Sequence, residues 1–371
     1  MTLSTAQARR FLLRATGLDS PFADVTGALG HLGFVQIDPI NVCGRMHDHI
    51  LRHRVHGYRE QDLMRHLHHE GPRLAFEHHL PDSHNLAALP LDAWPHLQHA
   101  MEARQSTDST WSGKLSPEEK KLAAQVLKRI AAEGPLCSQD IESARKAKTH
   151  AWDSTTLAKS TLQKLFFHGR VLIARRDGLR RYYDLPENVL TEMVLNAPQP
   201  SNEETARWLA FLKLRQRRLA ILKSAELRLI AEDVLSVSLQ GTSLRLHLLR
   251  SDLPLLEQTL STSEEAPAPP RLIAPLDPII YDRRVTVTVW DLDYRWEVYV
   301  PPQKRVRGYY ALPLLHRGQF IGHADLKADR EAGALQLLSQ HPARSAAAKT
   351  AIKSLADFLD LARGVKQPSA E

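Results

Sequence analysis

The stretch "SPEEKKLAAQVLKRIAAEG", Ser116 to Gly134, admits one local structure. Ser116 is placed to cap a helix N-terminus, Pro117 suits the first helical position, Glu119 completes a capping box and Gly134 stops the run. The short apolar "PLCS" follows, then a helical pattern near Gln139 to Arg145 and another from Thr155 to His168. The next segment, "GRVLIARRDGLRRYYDLP", alternates Val171, Ile173 and Arg175 with Leu172 and Ala174, turns at Asp177-Gly178, and returns through Arg180 to Asp184. Three helices closed by a basic hairpin is the winged-helix arrangement, a variant of helix-turn-helix. Ten Lys and Arg stand against two acids between Arg145 and Tyr182, so the basic excess of the chain, +7 overall, is concentrated here. Lys159 and Lys164 on the third helix and Arg175, Arg176, Arg180 and Arg181 on the hairpin are therefore candidate phosphate contacts.

A chain of 371 residues exceeds one ordinary core, and two to four units of about 100–150 residues are expected. The plan of Ser116 to Leu190 recurs with less charge contrast over Ser201 to Leu260: a helix "NEETARWLAFLKLRQRR", a second helical stretch, and two strands about Gln240-Gly241-Thr242. Before it, Ser4 caps a helix through Arg14 and Asp19 to Phe34 reads as a second helix ending near Gly33. "STSEEAPAPPR", Ser261 to Arg271, has linker composition. From Leu272 to Leu326 the pattern changes to short strands, "VTVTVWDLDYRWEVYVPP" among them, which suggests a small β-barrel or sandwich packed by a last helix from Ser345 to Arg363. Gly364 to Glu371 is expected to be a disordered tail. The class is α+β, with winged-helix units at 1–115, 116–190 and 191–260 and a β-barrel at 271–363.

Two cysteines, Cys43 and Cys137, each far from the other, make neither a disulfide framework nor a cysteine zinc site. The longest uninterrupted apolar run near the N-terminus is Phe11 to Leu13, too short for a signal-peptide core or a membrane span. A reducing cytoplasm is expected, without a membrane partner.

In "LGFVQIDPINVCGRMHDHI", Val35 and Ile37 form one face of a short strand, which sets Gln36 and Asp38 together on the other. The bland account is that Asp38 caps a helix opened by Pro39 and that Gln36 is an exposed strand residue. The chemical account uses the same geometry: Pro39 ends the strand, the capping bond fixes the Asp38 rotamer, and Gln36 orients a water from which Asp38 takes a proton. Arg45, His47 and His49 follow closely enough to supply donors near whatever Asp38 faces.

Twelve of the 19 histidines lie between His47 and His99. His66, His69 and Glu70 would share a helical face, yet HExxH and HxxEH motifs are missing, so no metal and no cofactor is expected. In the strand-rich region Lys304, Arg305 and Arg307 lie between two strands, at a tip that is either a soluble hairpin or a further basic contact surface, whereas "DLKADR" reads as an ion-pair network.

"LGFVQIDPINVCGRMHDHIL", "RLIAPLDPIIYDRR", "DYRWEVYVPPQKRVRGYYALPLL" and "ADLKADR" together resemble the bacterial tandem winged-helix DNA glycosylases of the AlkZ and YcaQ family, which unhook interstrand crosslinks, over Leu29 to Arg330. The resemblance implies three winged-helix units and a C-terminal β-barrel around a basic channel for duplex DNA. It also implies a catalytic motif of glutamine, an apolar residue, then glutamine or aspartate. Gln36, Ile37 and Asp38 match it in the form of the aspartate-bearing YcaQ branch. Asp48 stands between His47 and His49 where that branch usually carries a further histidine. The reading is a metal-independent monofunctional DNA glycosylase hydrolysing N7-alkylguanine nucleosides in double-stranded DNA, crosslinked ones included. The rivals are a non-enzymatic winged-helix transcriptional regulator, with base-reading residues on Thr155 to His168, and a histidine-metal hydrolase.

Overall fold

Residues 1–141, 157–262 and 268–363 are described by a computed structural model and form a mixed α+β structure. It divides into two compact units, one of Met1–Asp62 with Ala206–Glu371 and one of Leu63–Thr205.

In the Leu63–Thr205 unit the helix Pro117–Glu133 has the bounds its caps dictate. The Ser116 hydroxyl accepts from the Glu119 N–H, the Glu119 carboxylate accepts from the Ser116 N–H, and Gly134 ends the helix at φ 86°. Its apolar stripe of Ala123, Val126 and Ile130 is buried. The helix Leu157–Phe167 packs beside it and buries Leu162, Leu165, Phe166 and Phe167. The basic hairpin pairs Leu172–Asp177 with Arg180–Asp184. Its turn falls one residue later than expected, at Gly178-Leu179, because the backbone there takes φ 57° and glycine adopts that conformation without strain. A second hairpin joins Ala75–His79 to Leu86–Pro90. Of the helix expected near Gln139 to Arg145, residues 139–141 are described and form a turn, while 142–145 and the start of the helix expected from Thr155 lie outside the described residues.

The other unit gathers sequence-distant segments into shared cores. Thr2–Leu3 adds as a parallel strand to Val234–Leu239, which pairs with Arg245–Leu249 about Gly241. The helix Thr5–Ala15 then buries Phe11 and Leu12 with Val237, Leu246, Leu256, Val289 and Trp290. Burying such apolar side chains contributes roughly 1.5–3 kcal/mol each, so the N-terminal helix is held by residues more than two hundred positions away. The second helix is shorter than expected, Val25–Leu32, because Asp24 rather than Asp19 caps it, accepting from the Gly27 N–H at 2.7 Å.

Two expectations for the C-terminal region are overturned. "RRVTVTVW" is the helix Arg283–Trp290 and not a strand. Asp282 caps it, and Val285, Thr286, Val289 and Trp290 recur on one buried face, so packing at helical spacing overrides the β-propensity of a Val/Thr run. The barrel is instead an open five-stranded sheet with Arg271–Leu272 at one edge, then Ala311–His316, Gln319–Asp329 and Ala334–His341, and Ala362–Arg363 at the other. Each edge strand has two residues, too few to close a ring. The helix Ala346–Phe358 covers one face, packing Ala351, Ile352 and Leu355 on Leu312, Leu326 and Leu335. It ends before the expected Arg363. The expected linker is bounded by structure, since Ser261 ends a helix and Arg271 opens the sheet, while 263–267 and the 364–371 tail lie outside the described residues. Among the described residues no helix is long and apolar enough to cross a membrane.

Candidate active site

Two Asp-Pro-Ile turns occur in the Met1–Asp62 with Ala206–Glu371 unit, and their contrast defines the site. In each, the aspartate carboxylate accepts from the backbone N–H two residues on: Ile40 to Asp38 at 2.8 Å and Ile279 to Asp277 at 3.1 Å. Asp277 is wholly buried and held by the guanidinium of Arg54, whose two terminal nitrogens donate to the two carboxylate oxygens at 2.7 Å. Arg54 also donates to the Thr16 and Ile50 carbonyls, so that pair is a structural rivet.

Asp38 has no such partner. Its Oδ1 accepts from Ile40, and among the described residues Oδ2 accepts nothing. The side chain is largely buried, with the residue 9% exposed, and Gln36 is 8% exposed. Burial pushes the Asp38 carboxyl above its ordinary pKa, opposed by the Ile40 N–H and the nearby Arg45 guanidinium. A carboxylate fixed through one oxygen, open through the other and made more basic by desolvation is the state a general base requires.

The strand of this motif is shorter than expected, Val35–Gln36 alone, and all four residues from Val35 to Asp38 are buried rather than alternating. Behind Asp38 the chain is clamped to the five-stranded sheet: Ile40 and Val42 pack on its core, and the Ala328 N–H donates to the Val42 carbonyl at 2.8 Å. Arg45 precedes the helix Met46–Leu51, every residue of which is buried.

His47 and His49, expected as DNA donors, are thereby wholly buried. Burial, with Arg52 nearby, takes the His49 imidazole down to about 3, so it is neutral near pH 7. Asp48 is engaged inside the fold. Its Oδ1 accepts from the Tyr58 hydroxyl at 2.7 Å and the Gln61 N–H at 3.2 Å, and His47 Nε2 lies 3.8 Å from its Oδ2. The sequence marks Asp48 only as a departure from the family pattern, and nothing in it points to Tyr58.

Burial raises the Asp48 carboxyl to about 6, more than the Tyr58 and Gln61 bonds lower it. An acid whose pKa is raised on folding stabilises the fold where it is protonated and loses that contribution as pH rises from about 4 to about 6. Asparagine keeps an oxygen acceptor for Tyr58 and Gln61 without the buried charge. Asp48→Asn should therefore melt at a higher temperature than wild type at pH 8, with the difference shrinking toward pH 4. A variant less stable at pH 8 than at pH 4, relative to wild type, would contradict this.

The remaining basic candidates divide sharply. Lys164 is buried, donating to Glu119 at 2.8 Å, and Arg176 is held by Glu77 through both of its carboxylate oxygens. Burial alone would raise Glu77, but Arg176 and His68 hold it well below its ordinary value. These two cations are spent on the fold. Lys159, Arg175 and Arg180 are exposed and Arg181 half-buried, with the Arg175 guanidinium 3.4 Å from the Tyr182 ring centroid. Around Glu297, whose Oε2 accepts from the N–H groups of Val306, Arg307 and Gly308, Arg305 donates to the Val300 carbonyl and Arg307 to the Asp293 carbonyl, while Lys304 is exposed.

The histidines of the other unit serve structure as well. His78 Nε2 bonds the Phe166 carbonyl, His69 the His66 and Pro72 carbonyls, and His68 the Glu77 carboxylate. Burial takes His78 down to about 4 and His79 to about 3. Among the described residues no group of three or more His, Cys, Asp or Glu is arranged to hold a metal ion.

Comparison with known proteins is consistent with this arrangement. The chain is similar in fold to the Streptomyces sahachiroi DNA glycosylase AlkZ, with a TM-score of 0.59 and 14% sequence identity over 99% of this chain and 100% of that one. A family model described as DNA glycosylase AlkZ-like matches residues 29–359, which include both Asp-Pro-Ile turns and four of the five strands of the sheet behind Asp38. The chain belongs to the AlkZ-like family of DNA glycosylases.

Proposed function

We propose that this DNA glycosylase hydrolyses the N-glycosidic bond of N7-alkylguanine in duplex DNA, interstrand crosslinks included, with Asp38 as base and Gln36 as the residue that orients the water. The single observation carrying this is the contrast at Asp38: the same local turn as Asp277, but among the described residues no cation at hydrogen-bond distance and one carboxylate oxygen open. A guanine alkylated at N7 is cationic and leaves without protonation, so one carboxylate suffices where a sugar–sugar bond normally needs two. Asp38 deprotonates the water, which attacks C1′ as the bond to N9 breaks, and its charge stabilises the positive sugar. A base tied to the opposite strand cannot be turned fully into a pocket, so a crosslink requires a shallow site. The Gln-x-Asp form supports assignment to the aspartate-bearing branch of the family.

Three winged-helix units, at 1–115, 116–190 and 191–260, fit this reading, with the hairpin Leu172–Asp184 as a wing. A regulator that only binds DNA has no use for a half-open, desolvated carboxylate. We assign the protein a monomeric, cytoplasmic role at the nucleoid. The test is duplex carrying one N7-methylguanine, or one nitrogen-mustard crosslink, followed by detection of abasic sites. Release of the modified base by wild type is expected, and intact substrate after prolonged incubation at excess enzyme would contradict the proposal.

The exposed wing residues should contact phosphate. Replacing Arg175 and Arg180 with alanine should weaken duplex binding similarly across sequences and flatten the plot of log affinity against log salt by about one unit of slope for each phosphate no longer neutralised. An unchanged slope would remove the hairpin from the DNA surface.

The reaction as proposed needs no metal, and His68, His69 and His78 of the clusters are engaged with carbonyls and a carboxylate of the fold. Dialysis against EDTA should leave the excision rate unchanged. Activity lost in EDTA and restored by zinc would overturn that reading.

A further inference from the structure

A cavity of about 300 Å³ lies between the helix Thr5–Ala15, the strand Arg271–Leu272 and the turn that joins Ala311–His316 to Gln319–Asp329. Four guanidinium side chains line it: Arg10, Arg14, Arg271 and Arg317. Arg10 and Arg14 are four apart on the helix and so face the same side. Against these four charges the described residues of the lining offer one carboxylate, Asp19, which lies 3.7 Å from Arg271. Among the described residues no carboxylate pairs with Arg10, Arg14 or Arg317. The Nε of Arg10 is moreover buried without a hydrogen-bond partner, whereas its neighbour Arg9 donates to the Val289 carbonyl at 2.6 Å. The floor is apolar, with Leu13 and Leu315 buried beneath the arginines.

Like charges gathered in a partly desolvated concavity repel one another, and a surface that only needed solubility would splay them into water. Arg317 sits at the exposed turn with φ 48°, an uncommon conformation for a residue with a side chain, which sets its backbone at the rim of the cavity. Cations converging on one volume match an anion of more than one charge with several acceptor oxygens, which arginine forks bind in pairs. The volume is at the lower end for small-molecule sites and admits one such group with a small organic substituent resting on the leucines. A continuous duplex cannot enter it.

We propose that this cavity is a second binding site of the protein, separate from Asp38, and that it takes a phosphomonoester, whether of a free mononucleotide or of a 5′-phosphorylated DNA end. The terminal phosphate would lie among Arg10, Arg14 and Arg317, and the sugar or base over Leu13 and Leu315.

Calorimetric titration of the full chain distinguishes the outcomes. The probes are dGMP, deoxyguanosine, and a short single strand with and without a 5′-phosphate. The variant is Arg14→Gln with Arg317→Asn, which removes two charges while asparagine tolerates the left-handed turn. Wild type should bind dGMP at least tenfold more tightly than deoxyguanosine, and the variant should lose at least tenfold for dGMP while melting as wild type and excising N7-methylguanine at the wild-type rate. If the 5′-phosphorylated strand binds more tightly than both dGMP and its 5′-hydroxyl counterpart, with the same loss in the variant, the ligand is a DNA end. If dGMP is preferred, it is a free nucleotide. Wild type failing to bind either phosphorylated probe, or a variant binding them as tightly as wild type, would overturn the proposal. The excision rate is read separately, so failure of this site leaves the reading of Asp38 untouched.

Discussion

Asp277→Asn is expected to unfold the protein at markedly lower temperature. Arg54 is wholly buried, and its charge is neutralised by Asp277 through two 2.7 Å bonds. Asparagine retains one acceptor, places an NH2 against a guanidinium N–H, and leaves a buried positive charge without its counter-ion. Removing one partner of a buried pair typically costs about 3–5 kcal/mol, which in a unit of this size corresponds to a fall in melting temperature on the order of 10 °C. Thermal melting by circular dichroism reads this directly. A shift of only a degree or two would mean that the pair is not the rivet described.

The same substitution in the other Asp-Pro-Ile turn should behave in the opposite way. Asparagine caps about as well as aspartate, and the oxygen that accepts from the Ile40 N–H is kept. Among the described residues Asp38 has no buried guanidinium to strand, so Asp38→Asn should melt as wild type or slightly higher, because burial disfavours the charge it removes. DNA affinity should persist. Base release should fall by on the order of 10²-fold or more, the usual contribution of a general base. Gln36→Ala should slow release less, by misplacing the water while leaving the base.

How much of this is legible in the sequence depends on the range of the forces involved. The helix Pro117–Glu133 has the bounds expected of it because Ser116, Pro117, Glu119 and Gly134 act within one turn of themselves. The hairpin Leu172–Asp184 is legible for the same reason, apart from its turn, where Gly178 and not Asp177 takes the positive φ. The helix Arg283–Trp290 reads wrongly because its Val and Thr side chains favour a strand locally, and only the core supplied by Phe11, Leu256 and Ile279 makes the helical face the one to bury. The closed barrel fails because two-residue edge strands such as Arg271–Leu272 are set by packing and not by pattern.

At the site, Gln36 and Asp38 are visible as a motif. What distinguishes Asp38 from Asp277 is not, since both read as Asp-Pro-Ile, and Arg54 lies 223 residues from its partner. Charge composition marks the wing but cannot separate Arg175 and Arg180 from Lys164 and Arg176, because the acids that claim the latter two, Glu119 and Glu77, come from segments 45 and 99 residues away. The roles of His69 and His78 are hidden for a related reason: their partners are backbone carbonyls, which no side-chain pattern announces.

The most direct test of Asp38 as the base is the single-turnover rate at which wild type and Asp38→Asn release N7-methylguanine from duplex DNA, measured with enzyme in excess and alongside their melting temperatures. Equal melting, comparable DNA binding and a rate lowered by on the order of 10²-fold or more in the variant are expected. A wild-type rate in Asp38→Asn would reduce Asp38 to a helix cap and contradict the assignment of the base.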